Sequence, residues 1–417
     1  MNLIRLSLLY WIDKPYTAII HSLLIAVPVT IFICVGVIKK QTSSKLLKHT
    51  ENVDLILSAP GNPLQSTLSA ILFTGNPTGS LSVENTREVV KNRAVRLAVP
   101  VILGDYYRGF RMIGTNHNYL KIQEAEIGDG RLWNTKMEVV LGYSVARSLN
   151  IEVGDRLSIE RENESDFSHD VIRFYEVVGI IDKSRTLLDR VIFTSVESFW
   201  EIDEKIDNTG FSITDTTIHE IDKPYDIFPF DFPSKPEGVL SYVLIQYRSP
   251  MAALTYPKYV KRESSLLPIT PTVEMLRLKS TIDHVLDYFI VFAFILVGIS
   301  GILVIQFFNN IFEKHKTDFA VFRAIGCSRY KIIYLLLILA LLIADTGAFT
   351  GIIFGHVSAS LVSNSLPFMK IAGITGWSFY SAEILIYLFV HLSTILLASN
   401  SAIKAFNMDV RGIIKVS

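Results

Sequence analysis

Only two cysteines occur among the 417 residues, Cys34 and Cys327. Residues 38–283 contain neither, so no disulfide framework holds that long stretch. The G-x-x-x-x-G-K-[ST] phosphate loop is missing, and with it any expectation that this chain hydrolyses ATP. H-E-x-x-H, G-x-S-x-G and Cys-x-x-Cys are missing as well, so no common catalytic motif is in view. Forty basic side chains balance forty acidic ones, and a net charge of zero offers nothing to a nucleic acid.

What is abundant is apolar. Half of the residues are hydrophobic and the mean hydropathy is +0.36, yet 19% are charged. That mixture predicts a few membrane helices joined to a sizeable water-soluble domain. Residues 1–16 alternate apolar and polar side chains, with Tyr10 and Trp11 suited to a membrane interface. They read either as a cytoplasmic interfacial helix or as the flank of the next segment. Residues 17–37 supply the roughly 20 apolar positions a bilayer requires. Ile38-Lys39-Lys40-Gln41 is no small-x-small cleavage site, so an uncleaved anchor is expected. Further spans are expected at 284–312, 332–360 and 381–402, with a short outer loop at 361–380 and a tail at 403–417. In the third span Gly347, Gly351 and Gly355 recur every fourth residue, a seam that favours close helix packing.

Residues 38–283 contain no spanning run. Ala98–Asp105, Met137–Gly142 and Tyr175–Asp182 read as buried strands, and Tyr143–Leu149 as a helix. Val153-Gly154-Asp155 reads as a turn before a strand at Arg156–Ile159. Residues 58–80 place turns around a short apolar helix, Leu64–Phe73, which is either packed or a mobile substrate-facing element. Residues 201–237 form an acidic, proline-rich insertion. There His219 beside Asp215 and Asp222 is a weak metal candidate, because a lone histidine in an acidic loop is usually just solvated.

The stretch Glu313–Ile332 lies between two apolar runs. Asp318–Ile325 reads as an amphipathic helix lying on the membrane, with Phe319, Val321, Phe322 and Ile325 on one broad face. Ala320, Ala324 and Cys327 form a strip of small residues beside it. Gly326 is placed to end this helix and Ser328 to cap the next. An ordinary basic juxtamembrane loop is the alternative.

The order Asp318, Ala320, Arg323-Ala324-Ile325-Gly326 and Ser328 resembles the acidic-x-A-x-x-R-A-x-G-x-S signature of MacB-type ABC transporter permeases, a group that includes LolC, LolE and, more distantly, FtsX. Asp318 stands where Glu is usual. Gly128-Asp129-Gly130-Arg131, Glu138–Gly142, Ala146, Leu149, Val153-Gly154-Asp155 and Val177–Ile180 follow the order of that family's extracytoplasmic domain. The resemblance implies an α-helical membrane protein with four transmembrane helices and a large mixed α/β extracytoplasmic domain between helices 1 and 2. It implies that residues 313–331, with Phe319 and Phe322 among them, are a coupling helix that docks on a separate cytoplasmic ATPase dimer. ATP and Mg would then be bound by that partner. A second permease copy or a paralogue is implied too, together with a possible periplasmic adaptor or substrate-binding protein. An FtsX-like regulator of a cell-wall enzyme is the alternative reading.

Orientation follows from cations. Lys314, Lys316, Arg323, Arg329 and Lys331 cluster in one short loop, whereas the other has only Lys370. The positive-inside rule then places both termini in the cytoplasm of an inner-membrane protein. Asp345 and His391 fall at similar depth in neighbouring spans and are expected to pair, as a structural contact or as a relay.

Overall fold

The computed structural model describes residues 15–48, 50–160, 172–184, 186–200, 232–233 and 238–406. Most of the expected interfacial segment, the tail beyond 406, and Asp215, His219 and Asp222 lie outside them. The chain divides into two compact units: residues 43–280 with 367–373, and residues 1–42 with 281–366 and 374–417.

The first unit is a mixed α/β domain. Its strands are β1 (Leu55–Ser58), β2 (Leu81–Ser82), β3 (Val95–Tyr107), β4 (Phe110–Thr115), β5 (Ile127–Gly130) and β6 (Glu138–Leu141). They continue with β7 (Arg156–Glu160), β8 (Ile172–Ile181), β9 (Val191–Ser195), β10 (Val239–Leu240), β11 (Tyr242–Tyr247) and β12 (Leu267–Ile269). One sheet runs β12-β1-β11-β3-β4-β9-β6-β8-β5, with β7 also on β8; β2 and β10 pair apart. The β4/β9 and β6/β8 pairs are parallel and the rest antiparallel. The β3–β4 hairpin turns on Arg108 and Gly109, both with positive φ, as two-residue hairpins favour. Two apolar cores form. One gathers Leu55, Leu57, Val243, Ile245, Trp200 and Tyr256; the other gathers Val139, Leu141, Tyr175, Val177 and Ile192.

Two features of the domain follow from named side chains. Asn62 caps the helix Pro63–Leu72 by accepting from the Leu64 N–H at 2.9 Å. That helix buries Ser66 to Leu72 apart from Leu68, so it is a packed element. The glycines of the Gly-Asp-Gly-Arg and Val-Val-Gly-Ile runs sit where backbones meet. A Cβ on Gly130 would lie 2.3 Å from the Val178 carbonyl oxygen, and one on Gly179 would lie 2.2 Å from that of Arg131. Here Arg131 grips Glu138 through both guanidinium Nη atoms.

The second unit is helical. Numbered along the whole chain, α1 is Pro15–Lys48, and the helices of the α/β domain are α2, the capped Pro63–Leu72, α3 Val83–Val90, α4 His117–Ile122, α5 Tyr143–Leu149 and α6 Ala252–Glu263. Then follow α7 Pro271–Ala324, α8 Arg329–Ser365, α9 Pro367–Ile371 and α10 Ser381–Phe406. Among the described residues four helices, α1, α7, α8 and α10, are long and apolar enough to cross a membrane. The glycine seam is realised on α8 against α1. A Cβ on Gly347 would meet Ile25 Cβ and the Ser22 carbonyl at 2.8 Å; on Gly351 it would meet Val29 Cβ at 2.7 Å; on Gly355 it would meet Ile33 Cβ at 2.5 Å. Ser22 and Thr346 hydroxyls bond across it at 2.7 Å, and Thr30 donates to the Gly351 carbonyl at 3.2 Å.

Three expectations change. Helix α1 continues eleven residues past 37, to Lys48. The expected span 284–312 and surface helix are one 54-residue helix, α7, with no break before Asp318. Polar residues from Asn309 to Lys316 mark where it leaves the apolar zone, but Glu and Lys are good helix formers and do not end it. The loop between α8 and α10 is not plain either: it folds as α9, and residues 367–373 group with the α/β domain.

Candidate functional site

The break that the sequence places at Gly326 is there. Gly326 adopts φ +100°. The Gly326 N–H donates to the Arg323 carbonyl at 3.0 Å and the Cys327 N–H to the Phe322 carbonyl at 2.9 Å. That pair of bonds is a Schellman ending, with glycine at the left-handed position. Ser328 holds the extended N-cap backbone of α8, but its hydroxyl makes no cap bond.

The two helices meeting at this turn pack on each other. Phe312, Phe319, Ile332, Leu335, Leu336 and Ala402 form one buried cluster, with Phe322 and Cys327 partly buried against it. The single broad apolar face expected from spacing is therefore split. Phe319 is 1% exposed and Ala320 0%, so neither is presented to a partner. Their packing against α8 and α10 uses apolar surface that the family resemblance had assigned to docking. Outward lie Asp318, Ala324, Gly326 and Ser328, with Val321 and with Ile325 at 80% exposure, while Phe322 and Arg323 are half-buried. The turn thus shows a small apolar knob, Val321 with Ile325, flanked by Ala324. Local ion pairs brace the approach: His315 Nδ1–H donates to Asp318 Oδ2 at 2.8 Å, and Lys316 meets Glu313 at 3.1 Å.

The expected intramembrane pair is brought together loosely. His391 Nε2 lies 3.8 Å from Asp345 Oδ1, within ion-pair reach but too long for a hydrogen bond. The hydrogen bond to that oxygen comes from the Tyr387 hydroxyl, one helical turn before His391. Tyr387 was not singled out in the sequence, and its place four residues before His391 was the available signal. The Asp345 side chain remains 58% exposed.

A tighter polar pair escaped sequence reading. His356 Nδ1–H donates to the Gly376 carbonyl at 2.7 Å, and Nε2 faces Glu383 Oε2 at 3.1 Å. Glu383 Oε1 accepts the Tyr380 N–H at 2.8 Å, and the Phe379 ring lies 4.3 Å from the imidazole. These contacts fasten α8 to the segment leading into α10. Among the described residues no group of three metal-ligating side chains gathers.

With the architecture in hand, comparison with known proteins gives a consistent answer. Residues 19–221 match the model of the MacB-like periplasmic core domain, and residues 290–406 match that of the FtsX-like permease C-terminal region. Similar solved structures include the periplasmic region of MacB from Actinobacillus actinomycetemcomitans. It is 11% identical, with a TM-score of 0.33, covering 56% of this chain and 94% of that one. Another is the extracellular domain of the noncanonic ABC-type transporter YknZ from Gram-positive bacteria, at 11% identity and a TM-score of 0.30, covering 52% and 98%. No curated protein matches the chain. The two family models, one over the α/β domain and one over the last three long helices, define an ABC transporter permease. The chain belongs to the MacB/FtsX-like permeases. It is accordingly a membrane component that works with an ABC ATPase.

Proposed function

We propose that this chain is the permease subunit of a MacB-type ABC transporter, and that it passes ATP-driven motion of a cytoplasmic ATPase dimer to its α/β domain. In this reading α1, α7, α8 and α10 cross the inner membrane, both termini are cytoplasmic, and the domain lies outside. ATP and Mg bind in the partner. A second permease copy or a paralogue completes the membrane part, and the substrate leaves from the membrane or the periplasm.

The observation that carries this reading is the continuity of α7. It begins two residues after β12 and ends at the Gly326 turn, so one unbroken helix runs along the chain from the last strand of the domain to the docking surface. At about 1.5 Å per residue its 54 residues extend roughly 80 Å, far more than a bilayer's apolar core needs. The excess at both ends is what a transmitter requires. The docking surface is Val321, Ala324 and Ile325, with Asp318, Arg323, Gly326 and Ser328 around them.

The test is co-purification with the ABC ATPase encoded nearest to this chain. The native pair is expected to purify together and hydrolyse ATP. Ala324→Glu puts a charge on the exposed knob and is expected to abolish association while membrane expression stays normal. Association that ignores Ala324→Glu would move the interface elsewhere. An extracytoplasmic cell-wall hydrolase that binds the chain and is switched by ATP would instead make it an FtsX-like regulator.

A further inference from the structure

A cavity of about 500 Å³ opens between α1, α7 and α8, in the half of the helical unit nearest the Gly326 turn. Its walls are graded along α7. Gln306, Asn310 and Lys314 line it at i, i+4 and i+8, so one helical stripe carries two amides and ends on an ammonium. Leu303 and Phe307 line it from the adjacent stripe, with Leu24 on α1 and Leu339 and Ile343 on α8. The lining is therefore apolar at depth and cationic at the mouth.

The polar stripe is unsatisfied. Gln306, Asn310 and Lys314 are exposed, and among the described residues their side chains make no hydrogen bond or ion pair. The neighbouring side chains are engaged: Lys316 with Glu313, and His315 with Asp318. Gln306 precedes the polar stretch at which α7 leaves the apolar zone, and an amide without a partner is costly there. A ligand that supplies acceptors to the amides, an anion to Lys314 and a hydrocarbon chain to the depth would satisfy all three at once.

We propose that this cavity binds one anionic phospholipid of the surrounding bilayer, with its phosphate at Lys314. Its ester carbonyls accept from the amides of Asn310 and Gln306, and one acyl chain lies against Phe307, Leu24 and Ile343. From Gln306 to Lys314 the helix rises about 12 Å, enough to separate headgroup from upper chain. The volume lies within the roughly 300–1,000 Å³ of ordinary ligand sites. Basic pockets between membrane helices on the cytoplasmic side recognise anionic headgroups in this manner. Bound there, the lipid wedges α7 against α1 just above the docking turn. The proposal rests on the reading that these helices cross the membrane.

Native mass spectrometry of the full chain, purified in mild detergent and supplied with phosphatidylglycerol or phosphatidylcholine, tests it. One phosphatidylglycerol per chain is expected to be retained in preference to phosphatidylcholine. Lys314→Gln should lower that retention about fivefold, the attraction one surface cation provides. Gln306→Leu with Asn310→Leu makes the segment more apolar, so folding is preserved, and should lower retention of both lipids. Equal retention of the two lipids by the native chain, or a Lys314→Gln chain that binds as the native one does, overturns the proposal. Release of the native chain from membranes by an alkaline wash would overturn the spanning reading itself, a separate failure.

Discussion

Ala320 and Ala324 are one helical turn apart on α7, yet the first is fully buried and the second faces out. Ala320→Glu should therefore fail differently from Ala324→Glu. It buries an unpaired carboxylate, and a loss of several kcal/mol of stability is expected, seen as lost membrane expression. A second contrast concerns glycines. Gly351→Val forces a side chain against Val29 and the Ala26 carbonyl, whereas Gly298 has nothing within 4 Å. Overpacking of this kind costs about 1–3 kcal/mol, so Gly351→Val should lower the melting temperature in detergent and Gly298→Val should not. In the domain, burial works against ionising Glu138. The Arg131 guanidinium and the N–H groups of Asn134 and Thr135 outweigh it and hold its carboxyl down at about 2, from an ordinary 4.5. A lowered carboxyl pKa stabilises the fold fully above about pH 4.5 and loses that contribution as pH falls through about 2. Arg131→Ala should cost about 2 kcal/mol at neutral pH in thermal unfolding, with the deficit vanishing at the acid end. Of these residues the sequence made Gly351, Arg131 and Glu138 conspicuous by spacing and motif order. It could not separate Ala320 from Ala324, because which side of a helix meets α8 is decided by the turn at Gly326.

Among elements, local signals were read well and long-range ones poorly. Strand β6, helix α5 and strand β7 stand where a short apolar run, helix formers and Val153-Gly154-Asp155 put them. Strands β1, β9 and β11 went unseen. All of β1 and β9 and most of β11 are buried, so they show no alternation to distinguish them from any short apolar run. The Asp345–His391 approach was legible from depth alone, but the hydrogen-bonding role of Tyr387 was not. The His356–Glu383 pair was missed because both residues stand near the ends of their expected spans, where polar side chains are ordinary. The continuity of α7 was hidden by reading Asp318–Ile325 as a separate helix lying on the membrane. It makes its own prediction. Proline at Ser280 removes a rung of the rod between domain and span. Ser280→Pro should leave ATPase association intact, measured by co-purification, and abolish coupled transport in reconstituted membranes. A chain that transports normally with this break does not use α7 as a rod.

For the whole molecule, one family model covers residues 19–221, from within α1 into the α/β domain, and the other covers 290–406, from within α7 to the end of α10. The account joins the halves by one claim: the turn after α7 is where the ATPase takes hold. Cross-linking measures this most directly. Ile325→Cys, in a chain whose native Cys327 is replaced by Ser, places a thiol at the turn on a residue that is 80% exposed. Membranes containing this chain and its ATPase, treated with a short bifunctional thiol reagent, should yield a permease–ATPase adduct. A matched cysteine at exposed Phe174 in the domain should yield none. An adduct from Phe174, or none from Ile325 while the two proteins still co-purify, would contradict the account.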